Sequence, residues 1–399
     1  MSSSIFTKLL PELQQQVMNY CGTTELIHIA STCSALHRRA ISALYHTVDI
    51  SCHNEPGTFK AIGGPVPADY YDRAWGEGER AAYQKRQNRF AATIIKHPEY
   101  GIWVECLIWS YFGSEQARNG YDVGNNHLWA AFRLLRRLRS LDLISFAWGH
   151  ERYPLPSFQF SNLEQIRIGG PMSSAFLEAC IGSVDPAKLV TLDFDNLHNF
   201  GQMKEREEID SEINLSKLDE YDDPKGKPMV RHPGPMRGYL QRLEGRCISL
   251  RRLALRSAGQ DYDGDFFWSD AIDEQRYKEY ASFIRSVRGT LQHLVFEQGI
   301  RQEKSYNPIS YLGLRFSQIG ARTMDKRFLK YILPVLVEGP WPALKMMEIF
   351  GLGGTPQPYI RFTPPDPQIF VEAKRQLATA LGQNVILIVE ENSPTVDIR

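Results

Sequence analysis

One short pattern constrains this chain more than any other: an apolar residue, two others, a second apolar residue, one more, then a third. It recurs seven times, as Val104-x-x-Leu107-x-Trp109, Leu138-x-x-Leu141-x-Leu143, Leu163-x-x-Ile166-x-Ile168, Leu189-x-x-Leu192-x-Phe194, Leu250-x-x-Leu253-x-Leu255, Leu291-x-x-Leu294-x-Phe296 and Leu344-x-x-Met347-x-Ile349. The last two apolar positions stand two apart, the period at which a strand returns its side chains to one face, and the first packs the turn leading in. Stacked side by side, such strands predict a curved parallel sheet in an α/β protein. Between the ladders, Ser173 to Ile181, Glu274 to Val287 and Lys326 to Val337 carry apolar residues at helical spacing and predict returning helices on the convex side.

The intervals from Leu138 to Leu163 and from Leu163 to Leu189, 25 and 26 residues, suit a leucine-rich repeat, whereas later intervals of 61, 41 and 53 do not. The predicted architecture is therefore an irregular leucine-rich-repeat solenoid over residues 99–390, with a charged insertion at about 199–245 built from runs such as Lys204 to Asp210 and Asp219 to Asp223. Residues flanking the inward positions must face the other way. That places Ser140, Asp142, Gln165, Arg167, Thr191, Asp193, Asp195, Arg252, Arg256, His293, Glu297, Glu348 and Phe350 on an open concave surface of mixed charge. Of these, Asp142, Arg167, Asp193, Asp195, Arg252, Arg256, His293, Glu297 and Glu348 are the candidate substrate-binding set, suited to a protein segment of alternating charge. Near the end, Gln368 to Gly382 predicts a helix and Val385 to Val389 a buried strand that closes the last open edge, before a disordered tail at 391–399.

The opening of the chain reads differently. Pro11 follows Leu10 where a helix can start without losing a hydrogen bond. Leu13, Val17 and Tyr20 continue at helical spacing, Gly22 breaks the run, and Thr23 or Thr24 can cap a second helix with Leu26, Ile29, Ala30 and Cys33 on one face. A third helix through Leu36, Ala40, Ile41 and Leu44 runs into Tyr45 to Ile50, where β-branched and polar residues alternate as in a strand. This order resembles the F-box, in the form common in filamentous-fungal F-box proteins, with Leu10, Pro11, Leu13, Val17, Leu26, Ile29, Ala30 and Cys33 matching the family pattern. Cys21 and Leu36 depart from it, for leucine and tryptophan, and remain apolar. The resemblance implies an F-box over 1–50 that docks the small adaptor subunit of a cullin-RING (SCF) ubiquitin ligase, while the later residues recruit a protein substrate. An interaction scaffold that never engages a cullin is the alternative.

Residues 51–98 read as a Pro- and Gly-rich linker followed by a bridging helix from Glu79 to about His97. Lys+Arg and Asp+Glu are both 46 in 399 residues, so no global field steers the chain toward nucleic acid or an anionic membrane. Arg133 to Arg139 is a basic run that suits a helix end beside a strand better than a nucleic-acid patch. No apolar window spans a membrane, no basic-then-apolar leader opens the chain, and six scattered cysteines fit reduced thiols of the cytosol or nucleus. Asn214-Leu215-Ser216 is a chance glycosylation triplet on that reading. The Asp261 to Asp265 segment lacks the glycine and closing glutamate of a calcium loop, and Gly351 to Gly354 leads into prolines rather than a phosphate-binding helix. Cys33 and His37, four apart on the helical pattern, could share a metal with His46 or Cys52, but Cys33 falls at a core position of the F-box pattern and His37 suits the surface, and the common hydrolase, metalloprotease and nucleotide motifs are missing. The expectation is a non-enzymatic adaptor without cofactor or metal.

Overall fold

The computed structural model describes residues 9–32, 34–51, 77–111, 123–145, 160–172, 174–199, 236–257, 270–298, 320–352 and 367–390. Cys33, most of the expected linker, the charged runs between 204 and 231, Asn214, the 261–265 segment, Gly353, Gly354 and the tail at 391–399 lie outside them.

The fold is α/β, built on one nine-stranded sheet in which every strand is parallel to its neighbours and the strand order follows the chain. Its strands are β1 (Thr47–Ile50), β2 (Cys106–Tyr111), β3 (Ser140–Ser145), β4 (Gln165–Met172), β5 (Thr191–Asn199), β6 (Arg252–Ser257), β7 (His293–Gln298), β8 (Met346–Phe350) and β9 (Ile386–Glu390). Each ladder falls on a strand, and the register lines the ladders up. Leu107, Leu141, Ile166, Leu192, Leu253, Leu294 and Met347 form one row, and Trp109, Leu143, Ile168, Phe194, Leu255, Phe296 and Ile349 form the next. Every side chain in both rows is at most 2% exposed. Slipping any strand by one residue would turn its apolar pair out of the core, so the pattern itself pins the register.

The turns leading into the strands are stitched together by shared carbonyls. The Glu164 carbonyl accepts from the Val190 and Thr191 amides, that of Val190 from Arg251 and Arg252, and that of Arg251 from Gln292 and His293. This sets the residue before each strand in a second row along the sheet's leading edge.

Helices cover one face. They are α4 (Glu77–Lys96), α5 (Pro98–Gly101), α6 (Val123–Phe132), α7 (Ser174–Gly182), α8 (Asp270–Val287), α9 (Gly320–Arg327), α10 (Leu333–Val337) and α11 (Pro367–Leu381). Phe90 and Ile94 of α4, Phe132 of α6, Phe176 of α7, Phe283 and Ile284 of α8 and Leu377 of α11 join the strand rows in a single apolar cluster. The helix expected from Lys326 to Val337 is interrupted by a π turn at Phe328–Ile332. Pro334 has no N–H to complete the α-helical ladder just there, which accounts for the widened turn.

Ahead of the sheet lie α1 (Pro11–Asn19), α2 (Thr23–Thr32) and α3 (Ser34–His46), which share a small core of Met18, Leu26, Leu36 and Ala40. The strand expected at Thr47–Ile50 pairs in parallel with β2, so the sheet begins directly after α3. One expectation needs correction: the insertion assigned to about 199–245 is too long at its end, because Met236, Tyr239, Leu240 and Leu243 pack into the main core. The expected C-terminal strand is β9, which pairs with β8 and so covers the edge left by the last ladder, and it ends the strand order.

Candidate interaction surfaces

On α1 the inward positions are Gln14 and Met18, and the Gln14 amide donates to the Leu9 carbonyl at 2.8 Å. The other side of that helix stays in water: Leu10 is 66% exposed, Leu13 44%, Val17 43% and Tyr20 92%, with Ile27 of α2 at 49%. Leu10, Leu13 and Val17 follow i, i+3, i+7 spacing and share one face. Apolar side chains gathered in this way differ from the single exposed leucines of ordinary surfaces. Of the residues expected at a partner surface, Leu10, Pro11, Leu13 and Val17 are exposed, while Ile29 and Ala30 are half-buried. Leu26 is inside the small core, so it supports that surface and cannot line it.

Aromatic rings tie this unit to the sheet. Tyr45 of α3 meets Tyr100 of α5 at 5.0 Å between ring centroids, and His97, Tyr100 and Trp103 stack in series at 5.0 and 5.3 Å. Burial, with Tyr100 adding to it, raises the Tyr45 hydroxyl pKa. On α4, Gln87 donates to the Ile50 and Ser110 carbonyls at 3.0 and 2.7 Å, which ends β1 and β2 on the same side chain.

The expected charged set occupies the sheet face opposite the helices, and the register brings it together in pairs. Arg167 lies 3.5 Å from Asp142 and 2.9 Å from Asp195 on the flanking strands. Arg256 pairs with Asp193 and lies 3.5 Å from Glu297. Burial works against both guanidinium charges, but the surrounding carboxylates more than offset it and hold the two arginines above their ordinary value. Asp193, Asp195, Arg256 and Glu297 are buried, so the expectation that these four stand open to a partner is corrected.

Farther along, the Arg252 guanidinium donates to His293 Nδ1 at 3.0 Å, and His293 Nε2 faces Glu348. Nδ1 must accept from an arginine, so the neutral Nε2–H tautomer satisfies both contacts. That hydrogen bond is the leading reason the Glu348 carboxyl is held below its usual range. Beside these polar rows, Ala254, Val295 and Phe350 form an apolar cluster, with Ile388 packed against it.

A second buried polar group was not foreseen. It sits at the carboxyl ends of β6 and β7, where Arg276 donates to Ser257, Tyr277 donates to Gln298 at 2.7 Å and Gln298 donates to Asp325 at 2.9 Å. Asp273 pairs with both Arg276 and Arg327. The sequence signal available was Asp273-x-x-Arg276, one turn apart on α8. Close by, Glu279 accepts from the Gly238 and Leu240 amides, each at 2.6 Å, and so holds the returning end of the long inserted segment.

Burial pushes the Cys247 thiol up to about 12 and raises the Cys106 and Cys180 thiols as well, leaving all three poor nucleophiles. Among the described residues no group of His, Cys, Asp and Glu could hold a metal, and no helix is long and apolar enough to cross a membrane. No protein-family model matches the chain, and a search of curated proteins finds no match.

Proposed function

We propose that this protein is the substrate-recognition adaptor of an SCF ubiquitin ligase, working in the cytosol or nucleus. Its N-terminal helices dock the ligase's small adaptor subunit and, through it, the cullin, while the repeat-like sheet holds a protein substrate. The observation that carries the reading is the exposed apolar face of Leu10, Leu13 and Val17 on a helical unit that already has its own core. A unit that folds without those side chains gains nothing internally from them, and the water-facing stripe fits a partner helix or groove. Such an adaptor needs no catalytic group, because it raises the effective concentration of substrate at the ligase. The sheet face supports the second half of the reading: Gln165 is exposed and Arg252, His293 and Glu348 are only partly covered, within reach of a charged protein segment.

Co-purification of the full chain with the adaptor subunit and cullin tests this. Wild type is expected to bring both down. Leu13→Ala together with Val17→Ala should abolish the association while leaving the fold intact, since truncating buried interface anchors costs roughly 2–4 kcal/mol each. Association that survives both changes, or absence of any association in wild type, overturns the docking assignment. The latter outcome leaves an interaction scaffold that engages no cullin.

A further inference from the structure

The leading edge of the sheet carries a feature that the adaptor reading does not use. Between the turns that enter β4, β5, β6 and β7 lies an open cavity of about 650 Å³, lined by Glu164, Lys188, Val190, Ile248, Arg251 and Thr290, among others. The shared-carbonyl stitch holds Glu164, Val190 and Arg251 side by side, so the groove is held in shape by backbone rather than by mobile side chains. Its charges do not cancel. Arg139 grips the Glu164 carboxylate with three hydrogen bonds, at 3.2, 2.9 and 2.8 Å, which neutralises the groove's acid from outside. Among the described residues Lys188 donates only to neutral oxygens, the Ser161 carbonyl at 2.8 Å and the Asn162 amide at 3.3 Å. Among the described residues no carboxylate pairs with Lys188 or Arg251. Ile248 stands beside these two cations at 67% exposure.

We propose that this groove docks an acidic segment of a partner protein, with carboxylates on Lys188 and Arg251 and one aliphatic side chain on Ile248. Charge complementarity favours an anionic occupant. The exposed isoleucine favours a peptide, whose aliphatic side chains can cover it, over a charged nucleic-acid backbone, and two cations are few for binding driven by phosphate neutralisation. The groove lies on the strand-leading edge, away from Leu10, Leu13 and Val17, so the proposal stands or falls independently of ligase docking.

The test is fluorescence anisotropy of the full-length protein with a labelled glutamate-rich peptide containing a single leucine. Saturable binding that weakens with added salt is expected, with a loss of about tenfold, or roughly 1.4 kcal/mol, in Arg251→Glu and a comparable loss in Ile248→Ser. Both side chains are exposed, so melting curves should match wild type; Ser249→Trp, which fills the groove from another side, should weaken binding in the same way. Three results overturn the proposal: no saturable binding by wild type, equal binding of a lysine-rich counterpart, or affinity unchanged in all three variants. A single-stranded oligonucleotide that outcompetes the peptide overturns it too.

Discussion

Arg256 lies where a lone charge could not persist, buried on a strand between Asp193 and Glu297. Removing a buried cation strands the carboxylates facing it, and breaking such a pair typically costs about 3–5 kcal/mol. Arg256→Ala should therefore lower the unfolding free energy by about that much in urea titration. Arg256→Lys should lose less, because it keeps the charge and gives up only the planar fork. At Glu348 the effect appears as pH dependence. Its folded carboxyl titrates below its unfolded value because His293 donates to it, so the stabilisation is complete above the unfolded range and disappears as pH falls through the folded one. Thermal melts from about pH 6 to pH 3, across the usual carboxylate range, should fall less steeply for Glu348→Gln than for wild type. None of these pairings was legible in the sequence. Arg256 and Asp193 stand 63 positions apart and Arg167 and Asp195 stand 28 apart, so only strand register can bring them together. What the sequence did carry was the face each residue occupies, because alternation along a strand is local.

At the scale of elements, the ladders were readable because each encodes both a strand and its inward direction within six residues, and neighbouring ladders share the same solution. β1 was harder to assign. Thr47 to Ile50 alternates well enough to be a strand, but nothing in four residues says that its partner is Cys106 to Trp109, more than fifty positions on, instead of the preceding helices. The π turn was hidden for a related reason: apolar spacing from Lys326 to Val337 looks helical throughout, and only the missing N–H of Pro334 marks the interruption. Two glycines show how tightly the strands are fitted. At Gly169 an added Cβ would come within 2.6 Å of the Asp195 carbonyl oxygen and 2.8 Å of the Ile144 side chain. Gly351, just past β8, has φ +77° and lies against the Gln298 carbonyl, so an added Cβ would collide with backbone. Strained backbone alone costs about 1–3 kcal/mol. Gly351→Ala should exceed that range because the collision adds to the strain, and it should reduce soluble yield and melting temperature more than Gly182→Ala, where the space is open.

Across the whole molecule, the strand order sets how stability is distributed. Each strand touches only the ones before and after it in the chain, so the sheet resembles a row of neighbours more than a body with one centre. Interior strands such as β4, β5 and β6 are paired on both sides and backed by the large apolar cluster. The N-terminal helices, in contrast, rely on four buried apolar residues and on the Tyr45–Tyr100 contact that joins them to the sheet. At about 1.5–3 kcal/mol for each large side chain buried, that small core offsets only part of the conformational entropy of ordering its own helices. Local opening of α1 and α2 should therefore take much less free energy than opening the central sheet. Native-state hydrogen exchange is expected to show amides of α1 and α2 exchanging well before those of β4 to β6. On the proposed docking, protection of α1 and α2 should rise when the ligase adaptor subunit is added, because a partner that covers Leu10, Leu13 and Val17 stabilises the ordered helices by mass action. Equal protection of both regions in the free protein would instead mean that the opening helices are as deeply committed to the fold as the strands, and the aromatic junction at Tyr45 would then have to transmit far more cooperativity than two rings in contact supply.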